Sequence, residues 1–264
     1  MLEHIKKLKN KLTSSTRAVP NPKDSDIYLV SYPKSGNTWM RYLLAYALWP
    51  ELRSPDMTEL GSYVPSYSDK QQLLDPSSPC NKSNHRIVKE HFLYQGVAQK
   101  NAKRVIYICR DGRDAIVSYW HFCNQRDGTS MSLGEFIKQS ALPSHSYGPW
   151  QEHVLGWLHA KLQHKLIIRY EDMLDNPEAC LKEALNFAEF QVDDLTLKDA
   201  VYRASFGSLK KLEQEKGFNY EGVNNVEFVR KGVAGGWADH FSSEDLDLFD
   251  RYHGGPIPEL GYEW

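Results

Sequence analysis

Five residues in succession, Lys34, Ser35, Gly36, Asn37 and Thr38, stand between the apolar stretch DIYLVSY (26–32) and an apolar helical pattern that runs to Leu48. Such a set can hold an anion. Gly36 lets backbone N–H groups approach a ligand closely, and the serine, asparagine and threonine add donors. The following helix turns its positive end toward the loop, and Lys34 completes the cradle. The order differs from G-x-x-x-x-G-K-[ST], in which the lysine follows the second glycine and a hydroxyl holds magnesium; here Lys34 precedes the glycine. An ordinary nucleoside triphosphatase is disfavoured. Taken alone, the stretch also fits a glycine turn with a solvated lysine.

Three further constellations have the same flavour. In RVIYICRDGRDAIVSYWHF (104–122), Arg110 ends an apolar strand pattern, and Ser118 lies about two helical turns into the next element. An arginine fork suits a phosphate and a serine hydroxyl adds a donor. Asp111 reads as a helix cap, with Arg113 and Asp114 in a solvated first turn. In KEHF (89–92), strand alternation puts Lys89 and His91 on one side and Glu90 and Phe92 on the other. A histidine near its natural pKa is suited to taking a proton from a hydroxyl at neutral pH. In VRKGVAGGW (229–237), Arg230, Lys231 and Gly232 can fold over a phosphate, although charged pairs in loops are more often solvated. No C-x-x-C or H-E-x-x-H pattern occurs, and no catalytic metal is predicted.

The elements that must position these residues alternate. Strand patterns at 26–32, 85–92, 103–110 and 164–172 are interleaved with helical patterns from Asn37, over 112–123 and over 177–189. This predicts an α/β fold, a central parallel sheet with helices on both faces and ligands at the carboxyl ends of the strands. Polar stretches near 53–84, 124–150 and 204–236 read as long substrate or cofactor lids. The last part, from Glu244, reads as a short helix and an irregular tail. One domain over residues 1–264 is expected, with 1–25 as an extension in which Leu2, Ile5, Leu8 and Leu12 mark an amphipathic helix.

A formal net charge of −2 excludes a global attraction to nucleic acid or anionic membrane, so an anionic ligand must be held by local basic residues. Cys80, Cys109, Cys123 and Cys180 are not spaced as a disulfide scaffold, which fits a reduced compartment. No apolar run is long enough to span a membrane, and the N-terminus lacks the marks of a signal peptide. A cytosolic protein is expected.

Taken together, these motifs resemble the cytosolic sulfotransferases and the related bacterial enzymes, over about Ile27 to Phe241. YPKSGNTW is similar to the family's 5'-phosphosulfate loop, CRDGRDAIVSYWHF to its 3'-phosphate strand and helix, and RKGVAGGW to its R-K-G-x-x-G-x-W signature. The resemblance implies a P-loop-like sulfotransferase fold and a donor, 3'-phosphoadenosine-5'-phosphosulfate (PAPS), with 3'-phosphoadenosine-5'-phosphate (PAP) as product. The sulfuryl group would pass to a hydroxyl or amine of a small acceptor. Lys34, Ser35, Gly36, Asn37 and Thr38 would hold the 5' side and Trp39 would stack on adenine. Arg110, Ser118, Arg230, Lys231 and Gly232 would hold the 3'-phosphate, and Tyr170, Ser205 and Phe206 would contact the nucleoside. His91 would be the general base, with Glu90 its rival by analogy with membrane-bound relatives. Lys34 would stabilise the departing phosphate and Lys89 the transferring sulfonate, without magnesium.

Asn37 replaces a common threonine and Gly236 a common aspartate. The family's dimerisation motif, K-x-x-x-T-V-x-x-x-E, aligns with Ala238, Ser242, Ser243 and Asp247. Its lysine, threonine and valine are absent, so a monomer or weak dimer is expected. Two other readings compete: a nucleotide or small-molecule kinase with a related core, and a non-catalytic nucleotide-binding module. Tyr32, Phe92, Trp120, Phe122, Tyr147 and Trp150 are candidates to line an apolar pocket for a phenol, sterol or lipid-like alcohol.

Overall fold

In the computed structural model, residues 22–83, 85–94, 104–142, 144, 145, 147–217 and 226–263 are described. The pattern at Leu2 to Leu12 lies outside them. Strand β1 (Ile27–Ser31) leads into helix α1 (Asn37–Leu48), and α2 (Met57–Tyr63), α3 (Lys70–Leu74) and α4 (Pro79–Lys82) follow before β2 (Ile87–Glu90). Strand β3 (Arg104–Cys109) leads into α5 (Gly112–Asp127), then α6 (Leu133–Ser140) and α7 (Trp150–Leu158). Strand β4 (His164–Arg169) is followed by α8 (Tyr170–Asp175), α9 (Pro177–Phe187), α10 (Asp194–Arg203) and α11 (Phe206–Lys216), and the chain closes with α12 (Ser243–His253).

The four strands are parallel in the order β2-β1-β3-β4. Side chains alternate between two cores. Ile27, Leu29, Ile106 and Ile108 join one with α1, α9 and α10, whereas Tyr28, Val30, Val105 and Tyr107 join the other with α5 and α7. Both faces are covered, so the central strands β1 and β3 read as nearly unbroken apolar runs. From β1 the chain crosses to β2 on one side, and from β3 to β4 on the other. The crevice outside the carboxyl ends of β1 and β3 is therefore the topological switch point, where a parallel α/β sheet binds ligands.

At the opposite end of β1, Asp26 and Arg86 form a fully buried ion pair, with Nε to Oδ1 at 2.9 Å and Nη2 to Oδ2 at 2.7 Å. Arg86 Nη1 also donates to the Leu73 carbonyl, joining the start of the sheet to α3.

The stretches expected to be long loops contain helices. Helices α2 and α3 are capped by the carboxylates of Asp56 and Asp69, and segments this short carry too little apolar period to be read. Helix α11 similarly occupies part of 204–236. The strand expected over 164–172 stops at Arg169, where its neighbour ends at Cys109 and the ladder has no further partner. Among the described residues, no helix is long and apolar enough to cross a membrane.

Candidate active site

The loop after β1 is built to leave donors free. Gly36 caps α1 at φ +97°, and a Cβ there would lie 2.7 Å from Cδ2 of Tyr170, so no other residue fits without displacing that ring. No side chain caps α1 and its first turn carries no acid, which leaves the helix's N-terminal amides and positive dipole end for an anion. Lys34 itself has φ +64°, an uncommon conformation for a residue with a side chain.

Around this loop, a cavity is lined by Lys34, Gly36, Asn37, Thr38 and Trp39 from the first motif, and by Arg110 and Ser118 from the second. Lys89 and His91 enter from the end of β2, Tyr170 and Phe206 from the starts of α8 and α11, and Arg230, Lys231 and Gly232 from the late loop. Sequence positions 34 and 232 thus face one space. Two expected residues stand apart. Ser205 uses its hydroxyl to cap α11, accepting from the Ser208 N–H, and does not line the cavity. Ser35 is fully buried beneath the loop, its Oγ without a partner. Asn37 lines the cavity but spends its Nδ2 on the Leu29 carbonyl at 3.0 Å, which fixes the helix start to β1.

Arg110 donates from Nη1 to the Lys34 carbonyl and from Nη2 to the Val233 carbonyl, each at 2.9 Å, while its guanidinium packs on the Tyr170 ring. Its buried Nε and that of Arg230 have no hydrogen-bond partner. The Lys34 ammonium lies over the Phe228 ring, 3.6 Å from its centroid. Burial, and then the charge of Arg110, lower its pKa to about 7. Burial and Arg110 act on Arg230 in the same direction. Crowded cations, orphaned donors and an uncapped helix end form the donor set a phosphorylated nucleotide requires, and an anion there would offset the repulsion.

His91 is fixed in one orientation. Its Nδ1 is 2.8 Å from the Ser31 carbonyl, which only accepts, so Nδ1 carries the hydrogen and Nε2 is the basic nitrogen. Burial, reinforced by Lys89, keeps the ring well below the usual histidine pKa, hence neutral. Glu90 is buried outside the cavity lining.

Three positioning residues escaped the sequence reading. His153 donates from Nε2 to the His91 carbonyl at 3.0 Å and accepts from the Tyr107 hydroxyl at its Nδ1, and Trp157 Nε1 donates to the Phe92 carbonyl. Asp114, expected in a solvated helix start, is buried and accepts from the Gly235 and Trp237 N–H groups at 2.7 and 2.8 Å. It clamps the late basic loop over the cavity. Its partners lie more than a hundred residues away, so no local pattern announces it. Asp111 does cap α5, and the Arg113 guanidinium packs on Trp237.

Of the aromatic candidates, Phe122 and Tyr147 line the cavity. Tyr32, Phe92 and Trp150 are buried in the core, and Trp120 Nε1 donates to the Met131 carbonyl outside it.

This is the architecture of a nucleotide-linked group transferase. Residues 24–259 match the sulfotransferase domain family, and the chain belongs to it. Sulfotransferase 1 family member D1 of Mus musculus is 27% identical over 255 residues, covering 86% of this chain and 81% of that protein. Cytosolic sulfotransferase 13 of Arabidopsis thaliana is 30% identical, with 85% and 75% covered. Flavonol 3-sulfotransferase of Flaveria bidentis is 28% identical, with 89% and 81% covered. Two solved structures share the fold: retinol dehydratase in complex with retinol and PAP, at TM-score 0.66, 18% identity and coverage of 93% and 84%, and a mouse sulfotransferase complexed with PAP, at 0.65, 23%, 92% and 86%. The protein is a sulfotransferase of the PAPS-dependent class.

Proposed function

We propose that sulfuryl transfer runs between His91 and Lys34, to the hydroxyl of a small aromatic acceptor, and that the protein works in the cytosol as its relatives named cytosolic do. PAPS supplies the sulfuryl group. Arg110, Ser118, Arg230, Lys231 and Gly232 hold its 3'-phosphate, Lys34, Gly36, Asn37 and Thr38 the 5' side, and Trp39, Tyr170 and Phe206 the nucleoside. His91 Nε2 takes the acceptor proton as that oxygen bonds to sulfur and the bond from sulfur to the 5'-phosphate oxygen breaks. Lys34 neutralises the charge that collects on that phosphate oxygen, and Lys89 steadies the sulfonate oxygens.

The observation that carries this reading is the Ser31 carbonyl at His91 Nδ1, which leaves Nε2 as the base beside the basic cradle. The test is transfer of labelled sulfate from PAPS to a panel of phenols, alcohols and amines. His91→Ala is expected to cut transfer to phenols by about 10²–10⁴-fold while PAP still binds. A His91→Ala variant that turns over normally, with Glu90→Gln inactive, overturns the assignment.

A further inference from the structure

The charge balance of the cavity is one-sided in a way the donor does not use up. Among the described residues, seven basic side chains line it against one carboxylate, Asp114, whose two oxygens are committed to backbone N–H groups. Lys34, Arg110, Arg230 and Lys231 belong to the nucleotide end, Lys89 stands beside His91, and Arg41 is spent on the Val64 carbonyl.

Arg126 is the seventh, and it sits elsewhere. From the last turn of α5 its guanidinium lies 5.7 Å from the centroid of Phe122, on the flank of the cavity that carries Tyr119 and Tyr147. Tyr147 packs edge-on against His91 at 6.1 Å and against Tyr119 at 6.3 Å, so these rings connect the basic nitrogen with the arginine. Burial raises the Tyr119 phenol and the Cys123 thiol, and the Arg126 charge reaches both and opposes the rise. Asp127 takes the Nε and Nη2 donors at 2.8 Å each, facing outward and half exposed. Among the described residues Nη1 has no hydrogen-bond partner, and it is the remaining arm of a fork suited to a carboxylate.

Building on the acceptor reading above, we propose that Arg126 is a specificity residue and that the acceptor is an aromatic hydroxy acid, its hydroxyl at His91 and its carboxylate at the Arg126 guanidinium. A cationic amine on the same ring would meet like charges at Arg126 and Lys89 and find no free carboxylate among the cavity's described residues.

Three matched probes test this: 3-(4-hydroxyphenyl)propionate, 4-propylphenol and tyramine, each at saturating PAPS, with kcat/KM measured for wild type, Arg126→Gln and Arg126→Glu and with PAP binding followed by calorimetry. In wild type the acid should exceed the amine by about tenfold or more. Arg126→Gln should level that ratio and Arg126→Glu should reverse it, with PAP affinity unchanged as proof of an intact fold. Equal use of acid and amine by wild type, or an unchanged ratio in Arg126→Gln, overturns the role of Arg126 and leaves the acceptor reading standing. Transfer to none of the three by a wild type that binds PAP overturns the phenolic acceptor itself, and this proposal with it.

Discussion

Replacing Gly232 by alanine tests whether the late basic loop is shaped for the donor or merely rests near it. Gly232 has φ +63°, and a Cβ there would stand 2.5 Å from Cδ2 and 2.8 Å from Cε2 of Phe206. The left-handed backbone costs a non-glycine residue about 1–2 kcal/mol, and relieving such an overlap costs about 1–3 kcal/mol. The loop is largely exposed, so it escapes this strain more cheaply by leaving the cavity than by unfolding the domain. Arg230 and Lys231 leave with it. If PAP binding has to restore the strained loop, the combined penalty of about 2–5 kcal/mol corresponds to a loss of affinity of at least about 30-fold. Gly235→Ala is the control: φ is +75° but nothing lies within 4 Å of the added methyl, so only the backbone cost applies and its effect should be several-fold smaller. Calorimetric titration with PAP gives both constants, and thermal melts of the free proteins should differ little from wild type. Native affinity in Gly232→Ala, or equal losses in the two variants, would refute the idea that contact with Phe206 shapes the loop.

Two further outcomes follow from charges described above. Because Lys34 titrates at about 7 in the free protein and an anion favours its ammonium form, PAP affinity should fall as pH rises from 7 to 9. Lys34→Met should weaken binding and flatten that slope, and a slope unchanged in the variant assigns the titration to another group. Asp26→Ala strands the fully buried Arg86 guanidinium, at a cost of about 3–5 kcal/mol. Its melting temperature should drop by more than about 6 °C, and Asp26→Ala combined with Arg86→Met should recover part of the loss; a single variant as stable as wild type shows the pair to be dispensable.

Much of the layout was legible because the chemistry is local. Strand, glycine and helix follow one another within residues 27–48, and the apolar run 104–109 ends on the arginine that enters the cavity. Alternation along 87–91 correctly separated Lys89 and His91 from Glu90 on the cavity wall, although the strand itself ends at Glu90. What stayed hidden depends on distance in the chain. The clamp from Asp114 to Gly235, the support of His91 by His153 and the order β2-β1-β3-β4 are each made by residues far apart in sequence, with no shared period. Helices α2 and α3 were hidden for a different reason: their capping aspartates are the residues that also mark turns.

The guanidinium of Arg110 touches the Lys34 carbonyl on one arm and the Val233 carbonyl on the other, and so joins the beginning, middle and end of the chain at a single point. During synthesis, residues 34 and 110 emerge well before residue 233. A nascent chain can therefore own the first two walls of the cavity while the third is still unmade. Donor capture becomes a late event in the life of the polypeptide, and a message cut short before residue 230 yields a product that lacks the closing wall and clamp rather than a weaker version of the same catalyst.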